Sequence, residues 1–317
     1  MKKNILVLIN ITEEHKLLLQ KKAPEAIFTF TSNKKLSRQQ VEDANVILGN
    51  PPAEMLKFSK NLELLQLSSA GIGEYGKAGV LPEGAILANA SGAYGLAISE
   101  YMLGVLLELY KKLHLYRDNQ NESIWAYEGG VRSIYNSTAL VVGLGDIGGE
   151  FAWRLKALGA HTIGIRRTIE QKPSYLDELY SMEKLKELLP RADIVALCLP
   201  ETSLTQNIIN RETIALMKKD AVLINVGRGT AVDTEALCDA LERGHLLGAA
   251  MDVTEPEPLP SEHRLWKIKN AVITPHVSGG FSLDETRNRI VSIAADNLQA
   301  LLEGGQLKTA VDRQKGY

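Results

Sequence analysis

A chain of 317 residues, 45% hydrophobic and 23% charged, is long enough to form two domains and to bury a large core. Its formal net charge of −2 gives no general attraction to nucleic acid or acidic lipid, and no basic stripe stands out. No stretch is long and apolar enough to span a bilayer, and the opening run MKKNILVLIN breaks at Asn10 without a small-residue cleavage site. We therefore expect a soluble cytoplasmic protein that has neither nucleic acid nor a membrane as a partner.

The first part of the chain alternates short apolar runs with helical stretches, which is the pattern of a parallel sheet in an α/β fold. Ser37 followed by Gln40 predicts a capping box at the start of a short helix, and Pro51-Pro52 predicts another helix from Ala53. The predicted strands are Ile5–Ile9, Ile27–Phe30, Val46–Leu48, Leu64–Leu67 and Ile86–Ala88.

A glycine-containing loop, Ser68–Gly73, directly follows the fourth predicted strand. Its glycines would leave backbone N–H groups open to a small anion. A plain turn explains the same residues equally well. The two interpretations differ in whether the loop binds a ligand.

The stretch Ser99–Tyr116 is apolar around most of its circumference and contains no proline, so it predicts one long, largely buried helix. The polar and irregular segment Arg117–Asn136 follows it. Such a segment is typical either of an arm that reaches a second subunit or of a flexible connection. The first interpretation predicts a homodimer.

The stretch Thr138–Arg167 predicts a strand, a glycine turn, a helix and a second strand without a break. Gly143, Gly145 and Gly148 have the G-x-G-x-x-G spacing, which permits a tight turn, a close approach of pyrophosphate and close packing of helix on strand. We expect the helix to begin near Gly148 and to direct N–H groups at the phosphates. An ordinary turn would explain the spacing alone, but the second apolar strand, His161–Ile165, favours a dinucleotide site.

Arg166 and Arg167 stand at the end of the second strand, where an acidic residue would bond the ribose 2′-hydroxyl of NAD. No acidic residue occurs after them before Glu170. Two guanidiniums suit a 2′-phosphate better than a hydroxyl, so the sequence predicts NADP(H) as the preferred cofactor, with NAD(H) as the alternative. On the other interpretation the two arginines are a solvated strand end.

The α/β alternation resumes after Arg167. Cys198 and Cys238 have no partner spacing, so neither a disulfide framework nor a metal site is expected. Ser282 and Glu285 predict a capping box for a last helix that runs to Gly304. The other predicted elements are helices through Met182–Leu189, Thr213–Met217 and Thr234–Leu241, and strands at Ile194–Leu199, Val222–Val226, Ala249–Val253 and Val272–Thr274.

Three titratable or charged side chains, Arg228, Glu257 and His276, each fall just past the end of a predicted strand. In a parallel sheet these ends share the edge at which Gly143 begins the phosphate turn, and ligands of open α/β sheets bind at that edge. Arg228 alone would also suit a surface position, and a lone loop histidine is usually bonded to backbone. Their convergence predicts a hydride-transfer site.

Reduction of a 2-oxo acid needs a cation that holds the carboxylate and polarises the carbonyl, and Arg228 suits both tasks. It also needs a proton donor, for which His276 is suited because imidazole titrates near neutral pH. A carboxylate upstream would favour the charged ring and fix its orientation, but Glu255 and Glu257 are equally acidic and spacing does not choose between them. Asp252 would either bond the nicotinamide amide or cap the turn.

At these residues the sequence resembles the D-isomer-specific 2-hydroxyacid dehydrogenase family. The resemblance covers nearly the whole chain, and its motifs are specific in combination. They are VVGLGDIGGEFAWRLKALGA, LCLPETSLTQNIIN, LINVGRGTAVDTEAL, GAAMDVTEPEPLP and ITPHVSGG.

The resemblance implies an α/β fold of two lobes, with a Rossmann-like cofactor domain over residues 99–281 inserted into a flavodoxin-like substrate domain formed by residues 1–98 and 282–317. It implies an NAD(P)-dependent D-2-hydroxyacid dehydrogenase that transfers a hydride between NADP(H) and a small 2-oxo acid. The arginine pair is similar to that of the NADP-preferring glyoxylate and hydroxypyruvate reductase branch. A dinucleotide-sensing, corepressor-like binding protein is the alternative function, since relatives of that kind keep this fold.

The resemblance also implies roles for individual residues. The catalytic set is Arg228, Glu257 and His276, which selects Glu257 over Glu255. The substrate is expected to contact Arg228, the backbone around Ala70 and Gly71, and Tyr101, where relatives often carry His. The expected cofactor-binding residues are Gly143, Gly145, Asp146, Ile147, Gly148, Arg166, Arg167, Leu199, Pro200, Thr205, Val226, Gly227, Asp252, Ser278 and Gly279.

Overall fold

Two parallel β-sheets, each in a separate unit of the chain, form the framework of this α/β protein. A computed structural model describes residues 2–169, 171–280 and 283–313. One unit combines the two ends of the chain, Met1–Tyr94 and Phe281–Tyr317, and the other is the continuous stretch Gly95–Gly280.

The first stretch of the chain builds a five-stranded sheet in the order β2-β1-β3-β4-β5, the strand order of flavodoxin-like folds. All five predicted strands are present, and the predicted capping box at Ser37 and Gln40 is confirmed. The helix predicted from Ala53 is a 3₁₀ helix, Ala53–Phe58. The elements are β1 Asn4–Val7, α1 Glu13–Lys22, β2 Ile27–Phe30, α2 Arg38–Asp43, β3 Val46–Leu48, β4 Leu64–Gln66 and β5 Ile86–Ala88.

The inserted stretch forms a seven-stranded, wholly parallel sheet in the order β12-β11-β10-β9-β6-β7-β8, where β6 lies between β9 and β7. The order therefore reverses beside β6, as in doubly wound dinucleotide folds. Its elements are α3 Gly95–Lys111, α4 Leu113–Asn121, β6 Thr138–Val142, α5 Asp146–Ala157, β7 His161–Ile165, β8 Glu178–Tyr180, α6 Leu185–Leu188, β9 Ile194–Leu197, α7 Arg211–Leu216, β10 Val222–Asn225, α8 Thr234–Glu242, β11 Gly248–Met251 and β12 Ala271–Ile273.

The last helix, α9 Asp284–Glu303, returns the chain to the first unit. Its N-cap is Leu283, which makes no side-chain capping bond, and the capping box predicted from Ser282 and Glu285 stays a prediction. Ser282 itself, like Glu170, lies outside the described residues. After α9 the chain runs antiparallel beside β5, and Ala310 forms a bridge with Ala88.

The central strands of both sheets form because their residues are apolar on both faces and helices cover them. Val46, Ile47 and Leu48 of β3 are fully buried, and so is Leu140–Val142 of β6. Near-continuous apolar runs of this kind are typical of parallel strands. Among the described helices, none is long and apolar enough to cross a membrane.

The single helix predicted over Ser99–Tyr116 is wrong at its C-terminal end. The chain has two helices there, separated at Lys112, whose φ of 58° is left-handed. A left-handed residue cannot continue a right-handed helix, but the apolar pattern runs across the junction and hides the break. The predicted helix Met182–Leu189 is also shorter, because only α6 is α-helical and 3₁₀ turns flank it.

Candidate active site

In the glycine turn after β6, neighbouring backbone leaves no room for a side chain at two of the three glycines. Gly143 has a φ of +97°, and a Cβ there would lie 2.6 Å from the carbonyl oxygen of Cys198. A Cβ on Gly148 would lie 1.9 Å from the carbonyl oxygen of Gly143. A Cβ on Gly145, by contrast, would meet nothing within 4 Å, so the space above Gly145 is open. The middle glycine therefore leaves room for a group that approaches the backbone from outside.

Helix α5 starts at this open position, two residues earlier than predicted. Its N-cap is Gly145, which has no side chain to bond the first N–H groups of the helix. The exposed start of a helix carries a partial positive charge and N–H donors, which suit a phosphate. The carboxylate of Asp146 accepts a hydrogen bond of 2.6 Å from the N–H of Gly95, which belongs to the same unit. The turn therefore fits the pyrophosphate of a dinucleotide.

The two arginines follow β7, which is hydrogen-bonded to β6 along its whole length. Arg166 is half-buried and its N–H donates to the carbonyl of Tyr180, while Arg167 is exposed. Both guanidiniums thus belong to the strand end adjacent to the glycine turn. In doubly wound dinucleotide folds this strand end is the one that contacts the adenosine ribose.

His276 and Glu257 are in direct contact. Nδ1 of His276 lies 2.7 Å from Oε1 of Glu257, and both side chains are nearly half exposed. Because a carboxylate only accepts hydrogen bonds, Nδ1 is the donor in this pair. The other ring nitrogen, Nε2, is then the one left for proton exchange with a ligand. Of the two glutamates in EPEPLP, it is Glu257 that meets the histidine.

The loop that carries His276 is anchored by a buried carboxylate. Asp252 follows β11 and accepts bonds from the N–H groups of Val277 and Ser278 at 2.9 and 3.1 Å, and another from the hydroxyl of Ser278. The backbone carbonyl of Asp252 accepts from the N–H of His276 at 2.8 Å. These bonds hold His276 at a φ of +53°, a conformation that non-glycine residues adopt only when their surroundings fix it.

Tyr101 joins the same network from helix α3. Its hydroxyl lies 2.6 Å from Oγ1 of Thr274, and Thr274 donates to Oδ1 of Asp252 at 2.6 Å. Burial raises the pKa of Tyr101 to about 12, so its hydroxyl stays protonated at neutral pH. Tyr101, which is predicted to contact the substrate, is thus linked by its hydroxyl to the loop that carries His276.

Arg228 stands on a turn that a buried amide fixes. The side chain of Asn225 accepts from the N–H of Gly227 at 3.1 Å and donates to the carbonyl of Arg228 at 2.9 Å. The guanidinium of Arg228 donates to the carbonyl of Gly227 at 2.6 Å. Strands β10, β11 and β12 are successive neighbours, so Arg228, Glu257 and His276 follow three adjacent strand ends.

Most of the remaining predicted cofactor residues lie in loops at the same edge of this sheet, and Ile147 lies in the first turn of α5. Thr205 is buried, and its hydroxyl donates to the carbonyl of Pro200 at 2.8 Å, so it shapes the loop after β9. A Cβ on Gly227 would lie 2.6 Å from the carbonyl oxygen of Leu199, which puts the β9 and β10 loops in contact. Val226 is buried, whereas Ile147 and Gly279 are half-buried.

Ala70 and Gly71 belong to the other unit, in the loop after β4, and both are half-buried. Among the described residues, neither of their N–H groups has a hydrogen-bond acceptor. Such paired N–H groups can bind a carboxylate.

Two residues of the active-site network were not singled out from the sequence. Asn225, fully buried at the end of β10, braces the Arg228 turn, and Thr274 links Tyr101 to Asp252. A polar residue at the end of an otherwise apolar strand was the available signal for both, since each directly precedes a predicted functional loop.

Comparison with known proteins gives consistent matches. A family model described as D-isomer specific 2-hydroxyacid dehydrogenase, NAD binding domain, matches residues 103–278. An uncharacterized protein of Corynebacterium melassecola is 35% identical over 289 residues, which cover 88% of this chain and 92% of that protein. A glyoxylate reductase of Thermofilum pendens is 33% identical over 269 residues, 83% of this chain and 78% of that protein.

Solved structures extend the similarity over both units. A crystal structure of a D-isomer specific 2-hydroxyacid dehydrogenase family protein from Aeromonas salmonicida matches with a TM-score of 0.86 at 28% identity. The match covers 99% of this chain and 100% of that one.

Proposed function

This chain belongs to the D-isomer-specific 2-hydroxyacid dehydrogenase family, and from that premise we propose that it reduces small 2-oxo acids, glyoxylate among them, with NADPH. Members of the family are oxidoreductases that use a nicotinamide dinucleotide and act on small 2-hydroxy or 2-oxo acids. The observation that carries the proposal is the contact between His276 and Glu257 on the sheet that also bears the glycine turn.

In this proposal His276 is the acid that protonates the substrate. When bound, the nicotinamide supplies a hydride, with its two electrons, to the carbonyl carbon. Nε2 of His276 gives its proton to the carbonyl oxygen, which becomes the hydroxyl of the product. Glu257 holds Nδ1 and so directs Nε2 outward. In the oxidation direction Nε2 accepts the same proton.

Arg228 is proposed to bind the substrate and to polarise its carbonyl. A planar guanidinium can bond a carboxylate and a carbonyl oxygen at once, and its charge stabilises the oxygen as negative charge develops there. Asn225 supports this role because it fixes the backbone on both sides of Arg228. Ala70 and Gly71 are proposed to bind the substrate carboxylate through their N–H groups, and Tyr101 to influence which substrates are accepted.

The preference for NADP(H) is supported by Arg166 and Arg167 on the strand end next to the glycine turn. A 2′-phosphate there would meet two cations, whereas the 2′-hydroxyl of NAD carries no charge that could pair with a guanidinium. The pyrophosphate is assigned to the start of α5 at Gly145 and Asp146. In the same proposal Gly95–Gly280 is the dinucleotide-binding unit, and the unit built from the chain ends binds substrate.

A homodimer is also proposed, with the segment after α4 as the subunit contact. Ile124, Trp125 and Tyr127 expose large apolar surface there, and the side chain of Trp125 is fully exposed. Exposed apolar groups clustered in one segment are typical of protein contacts. The corepressor-like alternative is not favoured, because the similar proteins with a stated activity are enzymes.

A substrate panel tests the proposed function. Oxidation of NADPH and of NADH is followed with glyoxylate, hydroxypyruvate, pyruvate and longer 2-oxo acids, and the configuration of the product is determined. We expect turnover of at least one short 2-oxo acid to a D-2-hydroxy acid, faster with NADPH. Tight dinucleotide binding without turnover of any of these acids would contradict the proposal.

A further inference from the structure

The loop of residues Ser68–Gly71 in the first unit has all four of its carbonyl groups bonded within that unit. The carbonyl of Ser68 accepts from the hydroxyl of Tyr94 at 2.5 Å. The carbonyl of Ser69 accepts from the N–H of Ala90 at 2.9 Å. Strands β4 and β5 are neighbours, and the segment after β5 thus donates hydrogen bonds to the loop after β4.

The last two carbonyls are held by side chains. The amide of Asn89 donates to the carbonyl of Ala70 at 2.8 Å, and the hydroxyl of Ser69 donates to the carbonyl of Gly71 at 2.7 Å. Ser69 is in turn held by the amide of Asn50 at 3.0 Å. No carbonyl of the loop is left to face an incoming anion.

A trans peptide is planar, and its C=O points opposite to the N–H of the next residue. A donor that fixes the carbonyl of Ala70 therefore also fixes the direction of the Gly71 N–H. The same reasoning links the carbonyl of Ser69 to the Ala70 N–H, and the carbonyl of Gly71 to the Ile72 N–H. Each bond on the inner side of the loop aims one donor outward.

Asn89 is itself rigidly placed. It is buried, and its side-chain oxygen accepts from the N–H of Ser91 at 3.1 Å. Its backbone carbonyl accepts from Gln66 at 2.8 Å and from the hydroxyl of Thr309 at 2.6 Å. Because only the side-chain oxygen of Asn89 can accept from the N–H of Ser91, the NH₂ group of the same amide must face the carbonyl of Ala70.

We propose that Asn89 is a positioning residue for substrate binding, which aims the Gly71 N–H at the carboxylate of the 2-oxo acid through its bond to the carbonyl of Ala70. The inference rests on the proposed function, in which this loop binds the carboxylate. Ser69 supports the same placement, because its bond to the carbonyl of Gly71 fixes the peptide on the other side of Gly71. Neither side chain needs to touch the substrate to affect its affinity.

The test compares Asn89→Asp with Asn61→Asp in the full-length protein. Aspartate has the shape of asparagine but offers no NH₂ donor, so the peptide between Ala70 and Gly71 loses its anchor. Asn61 is an exposed asparagine of the same unit whose amide also donates to a backbone carbonyl, that of Glu42, so it matches the change in charge and bond type. The readouts are KM and kcat for the best 2-oxo acid, inhibition by oxamate, and NADPH affinity.

We expect Asn89→Asp to raise KM and the oxamate inhibition constant together by about tenfold or more, the effect of losing one hydrogen bond to a charged group. The NADPH affinity and the properties of Asn61→Asp should stay at wild-type values. Ser69→Ala, which removes one hydroxyl from the half-buried loop, should raise both constants by a smaller factor and covers the case in which Asn89→Asp does not fold. If Asn89→Asp folds, unchanged KM and oxamate inhibition in that variant would overturn the inference. If it does not fold, the same result in Ser69→Ala would overturn it. Failure of the wild type to turn over any 2-oxo acid would instead contradict the proposed function.

Discussion

Nδ1 of His276 and Oε1 of Glu257 lie 2.7 Å apart, although 19 positions separate the two residues in the chain. Their strands, β12 and β11, are neighbours in one parallel sheet, and this neighbourhood brings the pair together. The bond fixes which ring nitrogen faces outward, so the carboxylate is expected to affect the chemical step more than cofactor binding.

Replacing Glu257 by Gln tests this orientation. Gln keeps the size of the side chain but removes its charge, so we expect kcat to fall about 10- to 100-fold while NADPH affinity is retained. Glu255→Gln, two residues away in the same loop, is the matched control and should keep wild-type kcat. A larger loss of kcat in Glu255→Gln than in Glu257→Gln would contradict the assignment of this role to Glu257.

The proposed preference for NADPH rests on two guanidiniums at the end of β7. In the double variant Arg166→Asp with Arg167→Ala, the 2′-phosphate loses both partners and meets a carboxylate. We expect the ratio of kcat/KM for NADPH to that for NADH to fall about 100-fold or more. Arg243→Ala, an exposed arginine of the same unit, controls for the loss of positive charge. An unchanged ratio in the double variant would mean that these arginines are a solvated strand end.

The bond between Thr274 and Asp252 should matter for catalysis without contact with substrate. Thr274→Val removes the hydroxyl that donates to Oδ1 of Asp252 at 2.6 Å and leaves the shape of the side chain nearly unchanged. We expect kcat to fall about 3- to 10-fold, since the other bonds of Asp252 remain. Tyr101→Phe keeps the bond between Thr274 and Asp252 and should therefore reduce kcat less. The reverse order of the two effects would place Tyr101, and not Thr274, at the centre of the network.

The β8 edge of the seven-stranded sheet is expected to lose stability in acid. Hydrogen bonding to Arg191 above all, and then to Tyr180, lowers the pKa of Glu178 from 4.5 to about 2. A carboxyl whose pKa is lower in the folded state contributes stability above its unfolded pKa and loses it as the pH falls from 4.5 towards 2.

Glu178→Gln should therefore lower the free energy of unfolding at pH 7 by about 1 kcal/mol, allowing for solvent screening of a partly exposed pair. The difference from wild type should shrink between pH 4.5 and pH 2, as measured by urea unfolding. Glu183→Gln, at an exposed position, is the control. A difference that stays constant over this pH range would show that the charge of Glu178 is not responsible.

Strand ends could be located from the sequence because buried parallel strands are apolar runs. Gly143, Arg228 and His276 each lie within three residues of the end of such a strand. Strand β8, Glu178–Tyr180, was missed because it is a short edge strand with half-buried residues and has no such run. The break at Lys112 was missed because a lysine gives no sign of left-handed backbone.

The hydrogen bonds that hold the site residues in place were less predictable from the sequence than the site residues themselves. Asp252 anchors residues 25 and 26 positions further along the chain, and Tyr101 meets Thr274 across 173 positions. Such bonds depend on the packing of whole elements, so local spacing contains no signal for them. Spacing left Glu255 and Glu257 as alternatives for the same reason. The family resemblance selected Glu257, and it is Glu257 that contacts His276 in the structure.

A comparison of His276→Gln with His161→Gln tests the proposed role of His276 as the proton donor. His161 lies on β7 of the same sheet, five strands away from β12, and serves as the matched histidine. Single-turnover reduction of the best 2-oxo acid and NADPH affinity are measured for both variants and the wild type. We predict that His276→Gln reduces the rate by a factor of about 10² to 10⁴ with NADPH affinity unchanged, and that His161→Gln retains the wild-type rate. A near-normal rate in His276→Gln would contradict the assignment of this imidazole as the proton donor.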